Sequence, residues 1–599
     1  MNRTEKTAAY IREEERYKNI EKKEDKILLL LSVSRLVLFI GGITFTILGY
    51  IKNSMEGTIS LVFFIALFIV VLKLFIRHTK YKNYIANLAV INRNEAAALS
   101  GDLSAFNTGK DYIDIHHDFS HDVDLFGKSS LFHYINRTIT GYGRNILAAW
   151  LSDPYSLSAE FDERQNVIRE LADKKEWRQG FMASGMSVPL DEKSIAGLTG
   201  WLNAMNKSSS SLIRRILIIL LPAVACLTFI LAAAGVISFY FFTLFFLLNL
   251  FYISIGLKSS NRIHDAVSRQ HGYLSSFLDL LYSFSNESFS APSLNKIKES
   301  FLGNNISATI AVKSLGDVIG AFDSRINMFA GVVLNGLLLW DYQCIHRLEK
   351  WKKRYRDAFP LWLDMTGTID AYISLANYAG NNDDFVYPVI SGTEELFSAR
   401  DLGHQLIAEE KRVCNDFNIR KKGEMCIVTG ANMAGKSTFL RTVAINYIMA
   451  MAGAPVCASE MSFIPVKLFT SMRTTDSLSD NESYFYAELK RLKTLLNKVM
   501  NGEQVFIILD EILKGTNSED KSSGSKLFMK KMVSYGGTGL IATHDISLGT
   551  LEDELPGKIV NKCFEIEIDG QAIHFDYKLH DGITKKMNAV FLMRQMGIL

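Results

Sequence analysis

Eight consecutive residues, Gly430-Ala431-Asn432-Met433-Ala434-Gly435-Lys436-Ser437, have the spacing G-x-x-x-x-G-K-S, which suits a single kind of chemistry, the cradling of nucleotide phosphates. Glycines at 430 and 435 let the backbone curl so that its N–H groups face phosphate oxygens, and the following helix aims its positive end at the same charge. In such a loop Lys436 reaches the β- and γ-phosphates and Ser437 ligates Mg²⁺. The strand-like run 425–429 before it and the apolar run 439–451 after it supply the strand–loop–helix context the motif requires. The ligands implied are ATP and Mg²⁺.

Two further runs point to the same edge of a parallel sheet. Residues 505–509, Val-Phe-Ile-Ile-Leu, are continuously apolar, as in a strand buried on both faces, and end in Asp510-Glu511. Asp510 is placed to hold Mg²⁺ through water, and Glu511 to orient or deprotonate the water that attacks the γ-phosphate. Residues 539–543 deliver His544 to the edge where loops converge on ligand, which suits a γ-phosphate sensor.

These residues carry a family resemblance. Thr429-Gly-Ala-Asn-Met-Ala-Gly-Lys-Ser-Thr438 resembles the T-G-x-N-M-x-G-K-S-T loop of the MutS mismatch-repair ATPases, 510–516 resembles the family's D-E-x-x-x-G-T, and 542–544 its A-T-H. Ser483-Tyr-Phe-Tyr-Ala-Glu488 is similar to the S-T-F-x-x-E segment. Upstream, Asp124-Leu-Phe-Gly127, the stretch from Thr138 to Pro154 and Arg164-Gln165 resemble the start of the MutS core domain, so the resemblance runs from about 120 to 599. It implies nucleotide binding by residues 430–438, including Thr438, and by Asp510. It also implies catalysis by Glu511 and His544, Mg²⁺ on Ser437 and Asp510, and a homodimer in which Ser483 reaches the other subunit's γ-phosphate. DNA is the partner it implies.

The sequence also departs from that pattern. Asn481 stands where the family has Gly, Gln405 where it has Pro, and Arg412 where many members place an aromatic that stacks on adenine. A guanidinium can also stack on a base, so ATP binding is still expected at Arg412, with purine selectivity left open. The family's N-terminal mismatch wedge has no counterpart in residues 1–120, nor its clamp between 200 and 400.

Membrane-like sequence fills that space, although 48% hydrophobic residues and a net charge of +3 over 599 residues would suit an ordinary multi-domain protein. Residues 216–257 contain no Asp, Glu, Lys, Arg or His and are about twice as long as a ~30 Å hydrocarbon core needs, so two spans turning near 235–238 are expected. A first pair, 36–51 and 59–72, flanks the polar tip 52–57. Arg35 is either an intramembrane functional charge or a residue snorkelling to the inner surface, and snorkelling is the better reading. Lys22, Lys23, Lys26, Lys73, Arg77, Lys80, Lys82, Arg214, Arg215 and Lys258 fall on one side of a four-span arrangement, which the positive-inside rule makes the cytoplasm. No cleavable secretion signal is read at the N-terminus.

Six cysteines without C-x-x-C spacing indicate neither zinc nor a disulfide framework. The basic run 349–354 reads as a solvated helix face, with nucleic acid or lipid headgroups as the alternative. Residues 564–577 read as a hairpin with an Asp569-Gly570 turn, and 584–596 as an amphipathic helix.

The expected fold is an α/β P-loop (ABC-type) ATPase domain with an all-α core or lever region and four transmembrane helices. Its divisions are a mixed-charge helix at 1–26, hairpins at 27–80 and 211–258, core segments at 81–210 and 259–380, and the ATPase at 381–599. The expected place is the inner cell membrane, multi-pass, with the ATPase in the cytoplasm. Two outputs stay open: a DNA transaction related to mismatch repair, or work on a protein or lipid partner without mismatch recognition. Transport is disfavoured, because the spans lack polar groups to line a path.

Overall fold

The computed structural model describes residues 2–186, 192–203, 212–268, 271–303, 307–473, 484–569 and 572–584. The chain divides into two compact units, one of Met1–Asp102, Thr138–Arg144 and Lys174–Ala371, the other of Leu103–Arg137, Asn145–Asp173 and Tyr372–Leu599.

The first unit is helical. α1 (Arg3–Lys52) opens with a capping box, in which Asn2 accepts from the Glu5 N–H and Glu5 accepts from the Asn2 N–H. α2 (Ser54–Leu99) returns alongside it. Where the sequence suggests a polar loop at 52–57, Asn53 alone leaves the helical conformation. Its N–H closes α1 on the Gly49 carbonyl, and its side chain caps α2 at the Met55 N–H. Gly49 and Gly57 let the helices touch there, since a Cβ on Gly57 would enter the Tyr50 ring. Lower down, Glu24 meets His78 at 2.7 Å and Asp25 meets Lys82 at 2.5 Å. Between these ends the surface is bare hydrocarbon, with Leu36, Phe39 and Phe63 all about 60% exposed.

α3 (Leu212–Ala233) and α4 (Phe239–Ser268) form a second hairpin whose turn uses Gly235 at φ +74°. Among the described residues, four helices, α1 to α4, are long and apolar enough to cross a membrane. α5 (Met328–Leu338) packs on α3 and α4, and after a 79° bend at Leu339 the chain continues as α6 (Trp340–Tyr355). In α7 (Ala358–Asn381), Asp370 is fully buried and accepts from the Ile139 and Thr140 N–H groups and from Thr140 Oγ1 at 2.6 Å. Burial raises its carboxyl to about 7, against the opposing pull of those donors.

The second unit is α/β. Strands β1 (Val389–Ile390), β2 (Phe397–Leu402), β3 (Asn415–Ile419) and β5 (Glu460–Phe463) make a small sheet in the order β1-β5-β2-β3. β4 (Met425–Gly430), β6 (Lys467–Ser471), β7 (Val505–Asp510), β8 (Thr538–Thr543), β9 (Ile559–Asp569) and β10 (Ala572–Asp581) make a larger one in the order β10-β9-β4-β8-β7-β6, parallel except for β10. Both faces of β4, β7 and β8 are covered, hence their continuous apolar runs. Gly539 is required in β8, because a Cβ there would collide with the Ile507 carbonyl.

α8 (Lys436–Met451) is buried almost all round, with Tyr447 packed on Phe397, Phe463 and Phe506 from both sheets. α9 (Tyr484–Met500) and α10 (Ser518–Ser534) cover the opposite face, where Leu492, Leu495, Met529 and Met532 meet Ile427, Ile507 and Ile541. The terminal helix expected at 584–596 and the Gly570 turn lie outside the described residues.

Candidate functional site

β4 ends at Gly430 and α8 begins at Lys436, so the phosphate loop hangs between a central strand and a buried helix. Neither end can shift without disrupting the core. Met433 (φ +66°) and Gly435 (φ +102°) make the curl, and Met433 is 75% exposed at its tip. The next two strands in the sheet bring their carboxyl ends to the same place. Ser437 Oγ donates to Asp510 Oδ2 at 2.6 Å, and His544 Nε2 lies 2.6 Å from Glu511 Oε1. Lys436 Nζ donates to the Gly430 and Ala431 carbonyls, each at 2.8 Å, and His544 Nδ1 approaches the Gly430 carbonyl at 2.9 Å.

The electrostatics follow from these contacts. The hydrogen bond from His544 holds the Glu511 carboxyl down at about 2, against its partial burial. Burial lowers the Lys436 ammonium to about 8, opposed by the nearby charges of Glu511 and Asp510. The backbone around Glu511 is bent: Glu511 and Leu513 have φ +51° and +61°, rare for such side chains. The buried carboxylate of Glu488 sustains that bend by accepting from the Leu513 and Lys514 N–H groups at 2.7 and 3.1 Å.

A cleft of about 590 Å³ runs from these residues along the loop, lined by Asn432 to Phe439, Asp510, Glu511 and His544 at one end and by His404, Ile407, Val413, Asn415 and Tyr577 at the other. It has the size of a small-molecule site. The structure therefore brings Gly430 through Thr438, Asp510, Glu511 and His544 together, whereas Ser483 lies outside the described residues.

Arg412 is a correction to the sequence reading. Its guanidinium turns away from the cleft, donating to the Ile407 carbonyl at 3.0 and 3.2 Å and lying over the Phe385 ring, so it is not placed to stack on a base. Gly403 makes that inward course possible, since a Cβ there would strike the Arg412 side chain.

The exposed aromatic lining the cleft is instead Tyr577. It has φ +54° and sits where the β9–β10 register breaks between Phe575 and Leu579. Asn415 fixes it from β3, donating to the Tyr577 carbonyl at 3.0 Å and accepting from the Leu579 N–H at 2.8 Å. A Cβ on Gly435 would stand 3.1 Å from the Tyr577 ring, so loop and ring are in register.

Asp124 joins the periphery of the site. It takes two bonds from Arg473, at 2.5 and 2.7 Å, and pairs with Arg441 of α8 at 3.4 Å. Beside it, buried Asp122 accepts from Thr470 Oγ1, the Arg473 N–H and Arg491.

A parallel sheet whose first loop curls into a helix N-terminus, with hard oxygen donors and a histidine at neighbouring strand ends, defines a phosphate-loop α/β protein. Comparison with known families narrows the class: MutS domain V matches residues 426–598 and MutS domain III matches 114–237. Both matches are to domains of the MutS family. The chain is 31% identical to MutS protein homolog 4 of Mus musculus over 232 residues, 38% of this chain and 24% of that protein. It is 29% identical to the DNA mismatch repair protein MutS of Fusobacterium nucleatum over 265 residues (43% and 29%), and 32% identical to that of Methanococcoides burtonii over 242 residues (39% and 27%). The chain thus spans about a quarter of the length of these relatives. Ahead of the domain III match, α1 and α2 occupy residues 3–99.

Proposed function

We propose that this chain is a membrane-anchored MutS-type ATPase, working as a homodimer, whose ATP cycle serves a DNA transaction of the kind named in its relatives. The observation that carries the ATPase reading is the convergence of three strand ends on one loop: Ser437 on Asp510 and His544 on Glu511, each at 2.6 Å, beside Lys436. Ser437 Oγ and the Asp510 carboxylate are the hard oxygen donors Mg²⁺ prefers, and they would hold it, where it offsets charge on the phosphates.

Phosphate binding exchanges the bonds from Lys436 to the Gly430 and Ala431 carbonyls for bonds to the nucleotide. Hydrolysis then places water against Glu511, which takes its proton as oxygen adds to the γ-phosphorus and ADP leaves. A carboxylate held near 2 by His544 is a weak base, so His544 must loosen its grip as the γ-phosphate arrives, which couples sensing to catalysis. Tyr577 offers a face for the base, and Ser483 of the other subunit completes the site as the family resemblance implies.

The membrane reading rests on the two apolar hairpins and on where their basic residues fall. Arg35 fits it. Its guanidinium lies 4.5 Å from the Phe75 ring, reaching toward the end of the hairpin where Glu24 meets His78, as a snorkelling side chain would. On this reading the protein resides in the inner cell membrane with the ATPase in the cytoplasm.

The test is a pull-down on duplex and branched DNA by the detergent-solubilised protein, with and without ATP, against Lys436→Ala. Retention that weakens steeply with salt and responds to ATP only in the wild type supports the DNA role. No retention at low salt removes it and favours a protein or lipid partner, and ATP turnover by Lys436→Ala equal to the wild type removes the ATPase assignment.

A further inference from the structure

We propose that α5 is a re-entrant segment that inserts into the cytoplasmic half of the bilayer beside the second hairpin, so that this hairpin and α5 form one membrane-embedded body. The proposal rests on the membrane-anchored reading above.

Three observations converge on it. The first is depth. α5 runs antiparallel to α4: in the turn just before it Arg325 donates to Asn261 at 2.6 Å, and near its end the Gly336 carbonyl accepts from Asn249 at 2.8 Å. Gly336 touches the Phe246 ring so closely that a Cβ would collide with it. Asn249 precedes Lys258, the first charge on α4, by roughly 14 Å of helix, which puts the end of α5 near the middle of a ~30 Å core. Eleven residues cannot cross that core, and α5 stops within it, where the chain leaves the line of α5 by a 79° bend at Leu339 (φ +50°).

The second is surface. Met328–Leu338 reads Met-Phe-Ala-Gly-Val-Val-Leu-Asn-Gly-Leu-Leu, with no ionisable group. Ile326, Met328 and Phe329 are 71%, 83% and 80% exposed, at the start of a helix lying against α4, whose Phe251 and Ile255 are equally bare. The apolar surface of the hairpin thus continues onto α5, and one occupant, lipid hydrocarbon, covers both.

The third is how the polar groups end. A helix terminus in water leaves its last carbonyls to solvent, but one in lipid must satisfy them from protein. Here Asn249 takes the Gly336 carbonyl, Gln343 the Leu338 carbonyl at 2.7 Å, and the Leu339 N–H the Asn335 carbonyl. Asn335 and Asp341 exchange two bonds, and Arg325 pairs with Asp341, itself wholly buried, at 3.1 Å. Trp340 and Tyr342 follow the bend and donate to the Ala321 and Tyr252 carbonyls at 2.7 and 3.1 Å, and the basic face of α6 comes next.

The test is nitroxide accessibility in phosphatidylcholine vesicles containing anionic lipid. Full-length protein with its six cysteines replaced carries a label at Phe329→Cys, Val332→Cys, Phe251→Cys on α4, or Leu527→Cys on α10. The expected result is that labels at 329 and 332 match 251, relaxed by oxygen and shielded from a water-soluble nickel chelate, while 527 shows the reverse. If 329 and 332 behave like 527 while 251 stays shielded, the re-entrant segment is refuted and the hairpin stands. If 251 also meets the chelate, the membrane reading falls and takes this inference with it. If the cysteine replacements unfold the protein, Met328→Lys combined with Phe329→Lys in the natural background decides the matter. Insertion requires a drop in thermal midpoint in vesicles, and an unchanged midpoint overturns it.

Discussion

The phosphate-loop cluster and the junction of the second hairpin with α5 both gather charged and polar side chains at helix ends, yet they treat them in opposite ways. At the loop, Glu511 and His544 remain 21% and 26% exposed, and Lys436 is bonded to carbonyls it can exchange for a ligand. At the junction, Asn249 and Asp341 are sealed, and their partners are the carbonyls and side chains of neighbouring helices. Exposure into a cleft is what separates groups kept for chemistry from groups kept for architecture.

Four substitutions press on that contrast. The largest effect belongs to Glu511→Gln, which should reduce ATP turnover by about 10²–10⁴-fold, the range for loss of a general base, with an unchanged melting midpoint. Equal turnover would take Glu511 out of the mechanism. Asp341→Ala should do the reverse, costing roughly 3–5 kcal/mol by leaving Arg325 unpaired in a buried place, while nucleotide affinity stays put; calorimetry and a binding titration separate the two.

Asp370→Asn comes third. Because the folded carboxyl titrates near 7 and the unfolded one near 3.8, the native state retains a proton between those values that the unfolded chain has lost. Stability should therefore fall as pH rises from about 4 to about 7, by on the order of 4 kcal/mol at most, and stay low above 7. The Asn variant should lose that slope in denaturation series across this window, and an equally steep slope would clear Asp370. Smallest is Tyr577→Ala, which should weaken nucleotide binding by about tenfold, within the range for losing one base–aromatic stack, with little change in saturated turnover. An unaltered dissociation constant would show that the ring does not touch the base.

The same contrast explains what could be read from the chain. The loop, Asp510, Glu511 and His544 were legible because each is tied to its strand by local spacing, and a parallel sheet aligns strand ends without further information. Tyr577 was not, because its place depends on a register break inside an otherwise regular alternation and on Asn415 from another sheet. Arg412 was misread for a related reason: its position beside β3 suggested the cleft, but the space at Gly403 and the Ile407 carbonyl draw it inward. Four long apolar helices stood out by length alone. α5 did not, since Leu334, Leu337 and Leu338 at helical spacing look like the core of any helical domain, and only the sealed carbonyls beside Asn249 and Gln343 set it apart. Asn53 was hidden within the polar tip 52–57, where one residue serves as the end of one helix and the cap of the next.

That single-residue corner has a mechanical consequence. α1 and α2 stay paired from Asn53 down to Arg3, whose Nε donates to the Leu99 carbonyl at 2.7 Å. Below the charge-free stretch, residues 3–26 and 73–99 therefore form a two-stranded shaft of roughly 36–40 Å. A shaft of fixed length is a spacer. Each residue inserted into both helices would lengthen it by about 1.5 Å and turn its foot by about 100°, so its length sets height and heading together.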